Sequence, residues 1–164
     1  MLQNMNKRGF TLIELLVVIS IIGALAGLFG VSAPRIQRMA YQRRAQSEIQ
    51  ALELAIKQYS SDFGIHPDDA SSKTVVNPLT GYNEFPDKPD PMYRNNPDWS
   101  GPYFGAKKKQ FSEGKLNGPL LDPWQTEYKF NLSDPQNNHY TFDIWSAGPD
   151  RKDDKGGNDD IKNW

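Results

Sequence analysis

Five aspartates lie close together near the end of the sequence, a density of carboxylates that suits metal binding. They are Asp150, Asp153, Asp154, Asp159 and Asp160, within the stretch DRKDDKGGNDD. Carboxylate and carbonyl oxygens in a flexible loop are the ligands that calcium prefers. The spacing is not that of an EF-hand, which needs D-x-[DN]-x-[DN]-G and a later glutamate. Composition alone supports a disordered, solvated tail equally well, although the apolar Ile161 and Trp164 do not fit a loose tail.

A second candidate is Glu14, a single acid at the start of an apolar run. Leu15–Val31 carries no charge, and together with residues 10–14 it would form a helix of about 33 Å, close to the thickness of a bilayer core. A carboxylate inside such a segment costs a few kcal/mol and usually marks a function. Three interpretations stay open: a signal peptide cleaved after Ala24-Leu25-Ala26, a plain membrane anchor, or a segment in which Glu14 acts.

Charge flanking the apolar run does not fix its orientation. Lys7 and Arg8 precede the run and favour a cytoplasmic amino terminus by the positive-inside rule. Arg35, Arg38 and two later arginines follow it and oppose that orientation.

The overall composition excludes several classes of function. The net charge of −1 gives no polyanion-binding surface, so we expect no nucleic-acid partner. The absence of cysteine excludes a disulfide framework, a thiolate metal site and a cysteine nucleophile. His66 and His139 lie in turn-like contexts without a motif partner, so a membrane-anchored hydrolase has little support and we predict that the chain is not an enzyme.

The spacing of apolar residues predicts the helix that follows the apolar run. An apolar stripe spaced by three and four residues predicts an amphipathic helix over residues 35–64 that ends at Gly64; its members are Ile49, Leu52, Ile56, Tyr59 and Phe63. Pro34 is expected to break or kink a helix that continues from the apolar run.

The rest of the chain predicts loops and a small sheet. Asp68–Pro119 is rich in Pro, Asn, Asp and Gly and is expected to be irregular. Its aromatic residues either pin it to the core or form a protein-contact surface; they include Tyr82, Phe85, Tyr93, Trp99, Tyr103 and Phe104. Glu127–Leu132 and Tyr140–Ser146 alternate in polarity and are joined by turn residues, which predicts a hairpin. A third strand is undefined, and the fold class is α+β.

The stretch KRGFTLIELLVVISIIG resembles the processing site of the type IV pilin and pseudopilin superfamily. The resemblance implies that a prepilin peptidase removes a basic leader, residues 1–9, by cutting between Gly9 and Phe10. Phe10 then becomes the N-methylated first residue. Glu14 would pair with the Phe10 amine of a neighbouring subunit and set the register of a filament, since each charge is costly alone in a bilayer. The alternative is that Glu14 only reaches towards the membrane interface.

The carboxyl-terminal residues resemble one branch of that superfamily. DPWQTEYKF, FDIWSAGPD and NDDIKNW are similar to the ordered series DPWG-x-x-Y, S-x-GPDG and DDI-x-NW, which is typical of major pseudopilins of type II secretion systems. The resemblance implies a bound calcium ion held by Asp150, Asp159 and Asp160, by the Ala147 carbonyl, and further by Ser146 and the Lys152 carbonyl.

The chain also departs from that pattern. Gln125 and Arg151 replace glycines, and the segment between Asp150 and Asp159 is longer than usual, which leaves a role for Asp153 or Asp154 undecided.

The resemblance implies a domain order and a function. Residues 10–33 would form a transmembrane and polymerisation helix, and residues 34–164 a periplasmic domain with a variable loop region at 65–118 and the sheet and calcium-binding loop at 119–164. The chain would be stored in the bacterial inner membrane and assemble with itself, with minor pseudopilins and with an inner-membrane platform into a periplasmic pseudopilus that drives protein secretion. Alternatives are a subunit of a type IV pilus or DNA-uptake fibre, and a membrane-anchored binding module.

Overall fold

A computed structural model describes residues 10–30, 33–81, 93, 95–115, 118–138 and 141–164. Within these residues it contains three α-helices, two single-turn 3-10 helices and three short β-strands. The chain divides into two compact units, Met1–Met39 and Ala40–Trp164.

The first unit contains helix α1, Leu12–Gly30, which has nineteen residues. Over residues 12–27 its apolar side chains are exposed, as at Ile13, Leu16 and Ile22. Among the described residues, no helix combines the length and the apolar character needed to cross a membrane.

Helix α2, Ala33–Phe63, has 31 residues and supplies one wall of the core of the second unit. Pro34 is its second residue, a position where the missing N–H is tolerated because it has no partner within the helix. Residues 31 and 32, between α1 and α2, lie outside the described residues. The predicted end is confirmed: Gly64 has φ +70° and donates its N–H to Ser60 O at 2.8 Å.

The predicted apolar stripe of α2 is fully buried at its first three members and partly buried at the last, Phe63. Ile49, Leu52 and Ile56 have no exposed surface, and Tyr59 is half-buried against the same cluster. Across from them lie apolar side chains of the sheet and the segments next to it: Leu120, Tyr128, Leu132, Phe142 and Ile144. Because burial of large apolar side chains is the main driving force of folding, this contact defines the core.

The sheet is antiparallel, in the order β1-β2-β3. Its strands are β1, Lys129–Asn131, β2, Asp143–Ser146, and β3, Ile161–Lys162. Phe130 pairs with Ile144, and Ser146 pairs with Ile161. The predicted hairpin is confirmed, although both strands are shorter than their alternating patterns and Tyr140 lies outside the described residues. The third strand comes from the acidic carboxyl-terminal region.

The expectation that Asp68–Pro119 is irregular was wrong in part, because it contains helix α3, Ser72–Thr80. A capping box starts this helix: Thr74 N–H donates to the Ser71 side chain at 3.2 Å, and Ser71 N–H donates to Thr74 Oγ1 at 2.9 Å. Gly81, with φ +75°, ends it. Val75, Val76 and Leu79 are buried in the core, so tertiary burial stabilises a helix that its β-branched residues and Pro78 disfavour.

The aromatic residues after α3 pin the following segment to the core. Trp99 Nε1 donates to Pro78 O at 3.0 Å, and the backbone N–H groups of Tyr103 and Phe104 donate to Leu79 O at 2.8 and 3.0 Å. Phe104 is buried. The pinning role is therefore confirmed for these residues, whereas Tyr82 and Phe85 lie outside the described residues.

A polar network joins α2 to the sheet. Tyr128 Oη donates to Glu48 Oε2 at 2.7 Å, while Gln110 Nε2 and Arg44 Nε donate to Oε1 at 3.0 and 2.9 Å. Burial raises the pKa of Tyr128, and the adjacent Glu48 carboxylate raises it further. The phenol therefore stays a donor and holds the helix in register with β1.

Two carboxylates hold the loops around the hairpin. Asp143 is buried and accepts the backbone N–H groups of residues 136–138 at 2.7–3.0 Å. Asp69 accepts the N–H groups of Leu132 and Ser133 at 2.7 and 3.0 Å. Burial acts to raise the pKa of Asp69, but these hydrogen bonds outweigh it and lower the pKa. The loop at residues 132–133 thus depends on the ionised form of Asp69, which is the stronger acceptor.

Replacing Gln125 by glycine should stabilise the chain. Gln125 is exposed and has φ +68°, a left-handed conformation that costs a residue with a Cβ about 1–2 kcal/mol. The greater flexibility of glycine in the unfolded chain offsets part of that gain. Gln125→Gly should therefore raise the free energy of unfolding by about 0.5–1 kcal/mol, measured by urea denaturation.

The matched control is Glu127→Gly, an exposed position in an antiparallel bridge with Leu121. At this position glycine relieves no strain and only makes the unfolded chain more flexible. Glu127→Gly should therefore lower the free energy of unfolding by about 0.5–1 kcal/mol. Equal effects of the two substitutions would contradict the assignment of strain to Gln125.

Candidate functional sites

Glu14 lies in a capping box at the start of α1. The backbone N–H and the hydroxyl of Thr11 donate to Glu14 Oε2 at 2.9 and 2.7 Å, and Glu14 N–H lies 3.4 Å from Thr11 Oγ1. This satisfies amide groups that a helix start leaves unpaired. The T-x-x-E spacing of Thr11 and Glu14 is the sequence signal of this cap, and it was not among the predictions above. Gly9, on the leader side of the predicted cut, lies outside the described residues.

The acidic loop, residues 147–160, connects β2 to β3 and folds back on itself. Gly148 has φ +63° and lies against the backbone of Asp159: a Cβ on Gly148 would come within 2.2 Å of Asp159 O. Arg151, Lys155 and Asn158 also have positive φ. The loop is therefore a compact turn structure in which its two ends meet.

Three carboxylates of the acidic loop converge. Ligand oxygens of Asp150, Asp154 and Asp159 all lie within 4.8 Å of one another. Two oxygens bound to the same calcium ion, each at 2.3–2.6 Å, are separated by at most about 5 Å. The spacing therefore fits one calcium ion, and without a cation each pair repels by roughly 1 kcal/mol even in water.

Asp160 is placed differently from its predicted companions. Its Oδ2 accepts the backbone N–H groups of Asp154 and Gly156 at 3.1 and 2.8 Å. Its Oδ1 is buried and has no hydrogen-bond partner among the described residues. Burial raises the pKa of Asp160, and the charges of Asp153 and Asp154 raise it further. A buried acceptor without a donor is costly, and a cation would remove that cost.

Two other candidate ligands have different partners. Asp153 Oδ1 accepts Trp145 Nε1 at 2.8 Å and Lys155 N–H at 3.0 Å. Ser146 Oγ donates to Asp122 Oδ2 at 2.5 Å and accepts Gly148 N–H at 3.1 Å. The Ser146 hydroxyl therefore orients the start of the acidic loop. The roles of the Ala147 and Lys152 carbonyls stay predictions.

Asp122 also holds the start of the acidic loop, through its hydrogen bond with Ser146. It is buried, and its Oδ1 accepts the backbone N–H groups of Trp124 and Thr126, both at 2.9 Å. Since its Oδ2 also accepts Ser146 Oγ, one carboxylate fixes both the turn before β1 and the end of β2.

The last residues close the acidic loop against the sheet. Lys162 Nζ donates to Gly156 O at 2.6 Å and lies 5.1 Å from the centre of the Trp164 ring. Trp164 meets Trp145 edge to face, with ring centres 6.2 Å apart. The Asn163 side chain accepts Ile144 N–H and donates to Phe142 O, both at 2.9 Å. This end of the chain is packed, in contrast to a loose acidic tail.

The histidines form no catalytic arrangement among the described residues. Ser60 Oγ donates to Ile56 O at 2.8 Å, so His66 Nδ1, 2.7 Å from that hydroxyl, is the donor of their hydrogen bond. The His66 ring packs edge to face on Phe142, with centres 5.5 Å apart. His139 lies outside the described residues. The contacts of His66 are those of a packed, structural histidine.

Comparison with known protein families gives two adjoining matches. Residues 4–30 match the prokaryotic N-terminal methylation motif, and residues 35–164 match type II secretion system protein G. The chain belongs to the type II secretion system protein G family. The two matches meet close to the start of α2, so the methylation motif covers α1 and the protein G domain covers the core, the sheet and the acidic loop.

Curated relatives agree with membership of the protein G family. A protein of Escherichia coli (strain K12) named type II secretion system core protein G is 34% identical over 159 residues, covering 97% of this chain and 92% of the relative. A protein of the same name from Pectobacterium carotovorum subsp. carotovorum is 33% identical over 160 residues, covering 97% of this chain and 85% of the relative.

A solved structure was also found. The crystal structure of the major pseudopilin from the type 2 secretion system of enterohaemorrhagic Escherichia coli aligns with a TM-score of 0.45 and 21% identity, covering 82% of this chain and 90% of that one. The family membership rests on the family match and the curated relatives.

Substituting Gly156 by alanine should open the end of the acidic loop. Gly156 has φ +81°, and a Cβ there would come within 2.0 Å of the Trp164 ring. Both the backbone strain and the displacement of the ring act in the same direction, so Gly156→Ala should lower the free energy of unfolding by about 2 kcal/mol or more. Urea denaturation measures this loss, and tryptophan fluorescence should report the movement of Trp164.

Gly105→Ala is the control, because a Cβ at Gly105 meets no described atom within 4 Å and its φ is not positive. It should leave stability unchanged or slightly raised. A Gly156→Ala variant as stable as wild type would contradict the packing of Trp164 on Gly156.

Proposed function

We propose that this chain is a structural subunit of a periplasmic pseudopilus that drives type II secretion of proteins across the outer membrane. The observation that carries the proposal is the methylation motif joined directly to a protein G domain over nearly the whole chain. The subunit acts by polymerising and has no catalytic activity. Its partners are further copies of itself, minor pseudopilins, the prepilin peptidase and the inner-membrane assembly platform.

In this proposal the amino-terminal segment is processed and stored before assembly. The prepilin peptidase cuts between Gly9 and Phe10, and Phe10 is methylated. Residues 10–33 are held in the inner membrane and residues 34–164 lie in the periplasm. The support for membrane storage is the uncharged sequence of Leu15–Val31 behind the basic pair Lys7 and Arg8.

Glu14 links one subunit to the next in this proposal. Both bonds that Glu14 accepts from Thr11 end on Oε2, so we assign Oε1 to the cationic amine of Phe10 in a neighbouring subunit. The pairing neutralises two charges that would each be costly alone in an apolar environment. It also specifies one axial register, because the carboxylate and the amine of two neighbouring subunits meet at only one relative position.

Glu14→Ala tests this assembly role. Breaking one partner of a buried ion pair costs about 3 kcal/mol or more, so the variant should lose ordered filaments and type II secretion. Electron microscopy of overexpressed filaments and a secretion assay in a strain lacking the native gene give the two readouts.

Thr11→Ala is the matched control. It removes the Thr11 hydroxyl from the capping box but keeps the Glu14 carboxylate, so filaments and secretion should persist with at most a loss of about 1 kcal/mol in helix stability. If Glu14→Ala forms filaments with unchanged register, the pairing is wrong; if Thr11→Ala fails as badly, Glu14 acts as a helix cap.

We further propose that the acidic loop holds one calcium ion. The predicted ligands are Asp150, Asp159 and Asp160 with the Ala147 carbonyl. Two observations support this proposal: Asp150 and Asp159 converge, and the buried Oδ1 of Asp160 has no hydrogen-bond partner within the part of the chain that the structure describes. The ion would tie the acidic loop to the sheet, where the cysteine-free chain has no disulfide to do so.

Removing calcium should therefore destabilise the chain. An ion that binds only the folded state contributes about 2.7 kcal/mol at a concentration one hundred times its Kd. Chelation by EGTA should then lower the midpoint of thermal unfolding by about 5 °C or more. Calcium added back should restore the midpoint, magnesium at the same concentration should not, and an unchanged midpoint in EGTA would refute the calcium proposal.

A further inference from the structure

We propose that Asp154, contributed by the longer segment between Asp150 and Asp159, supplies an additional carboxylate to the cation site of the acidic loop. The inference rests on the calcium proposal above. It separates two adjacent and chemically identical residues, Asp153 and Asp154, only one of which faces the site.

The side chain of Asp154 is directed to the other carboxylates. Its ligand oxygen belongs to the group, with Asp150 and Asp159, whose members all lie within 4.8 Å of one another. Asn158 Nδ2 donates to Asp154 Oδ2 at 2.6 Å, which fixes the orientation of the carboxylate. Asp154 thus has the position of a ligand, although it is not among the residues that the family resemblance implies.

The backbone of Asp154 is held from both sides. Its N–H donates to Asp160 Oδ2 at 3.1 Å, and its carbonyl accepts Gly157 N–H at 3.1 Å. Lys155 and Gly156, with φ +56° and +81°, turn the chain back between Asp154 and Asp159. Asp160 is accordingly a positioning residue for Asp154, in addition to its predicted role as a ligand.

Asp153 is directed elsewhere. Its Oδ1 accepts Trp145 Nε1 at 2.8 Å, which turns this carboxylate towards the outer face of β2. The same atom accepts Lys155 N–H at 3.0 Å. Asp153 therefore contributes charge to the acidic loop but no oxygen to the convergent group.

The charge balance of the group points to a cation. The ammonium of Lys152 lies 4.0 Å from Asp150 Oδ2, but its side chain is 79% exposed, and such exposed pairs contribute little. Three convergent carboxylates offer several oxygen ligands at one place, which suits calcium, with its six to eight oxygens, better than magnesium. The buried Oδ1 of Asp160, without a partner among the described residues, indicates the same need for a cation.

The test compares Asp154→Asn with Asp153→Asn in the full-length chain, purified in mild detergent. Both variants remove one negative charge from neighbouring positions, and asparagine keeps an oxygen that accepts the bonds now made to Asn158 or Trp145. Isothermal titration with calcium chloride gives Kd, and thermal unfolding in EGTA gives the stability of the metal-free chain. We expect Asp154→Asn to weaken calcium binding at least tenfold and Asp153→Asn by less than threefold.

The metal-free midpoint separates a ligand from a structural residue. Asp154→Asn relieves repulsion in the group, so its midpoint in EGTA should equal or exceed that of wild type. Equal weakening by the two variants, or a metal-free midpoint of Asp154→Asn well below wild type, would overturn the inference. If wild type itself binds no calcium, the calcium proposal fails; if wild type binds and Asp154→Asn binds equally well, only the present inference fails.

Discussion

The loops of this chain depend on carboxylates that accept backbone N–H groups. Asp69, Asp122, Asp143 and Asp160 each accept two or more such groups, and in each case the bonds cross between segments or close a turn. The chain has no cysteine, so these hydrogen bonds and the apolar core hold the loops in place. In the acidic loop a carboxylate, that of Asp160, again holds the turns by accepting backbone N–H groups. Three further carboxylates, those of Asp150, Asp154 and Asp159, converge within the same loop.

Elements with a regular local pattern could be predicted from the sequence, whereas elements that depend on tertiary burial could not. The α2 stripe of Ile49, Leu52 and Ile56 was predictable because a helix face repeats every 3.6 residues. Helix α3 was not, since Val75 and Val76 favour strands and Pro78 favours turns. Only their burial against α2 and the sheet, together with the cap at Ser71, makes the segment helical. The Thr11 cap of α1 was readable from spacing alone and was overlooked.

The candidate metal site shows the same division. Resemblance to the family selected Asp150 and Asp159, and the structure brings these two together. Neither composition nor resemblance distinguished Asp153 from Asp154. The distinction depends on contacts that only the folded loop creates, eight and six residues away along the chain: the Trp145 indole for Asp153 and the Asp160 carboxylate for Asp154. The backbone conformation at Gln125 and Arg151 could be predicted, because the family pattern has glycine at both positions. Both residues adopt the positive φ that glycine favours.

The side chain of Asn163 has a consequence for the edge of the sheet. Strand β3 ends at Lys162, which would leave Phe142 O and Ile144 N–H open to an incoming strand. The Asn163 side-chain amide occupies both of them, since it accepts Ile144 N–H and donates to Phe142 O. An unprotected edge is a template for uncontrolled aggregation. A protein that is made to polymerise thus has this position of its sheet blocked against amyloid-like growth, which leaves ordered assembly to other surfaces.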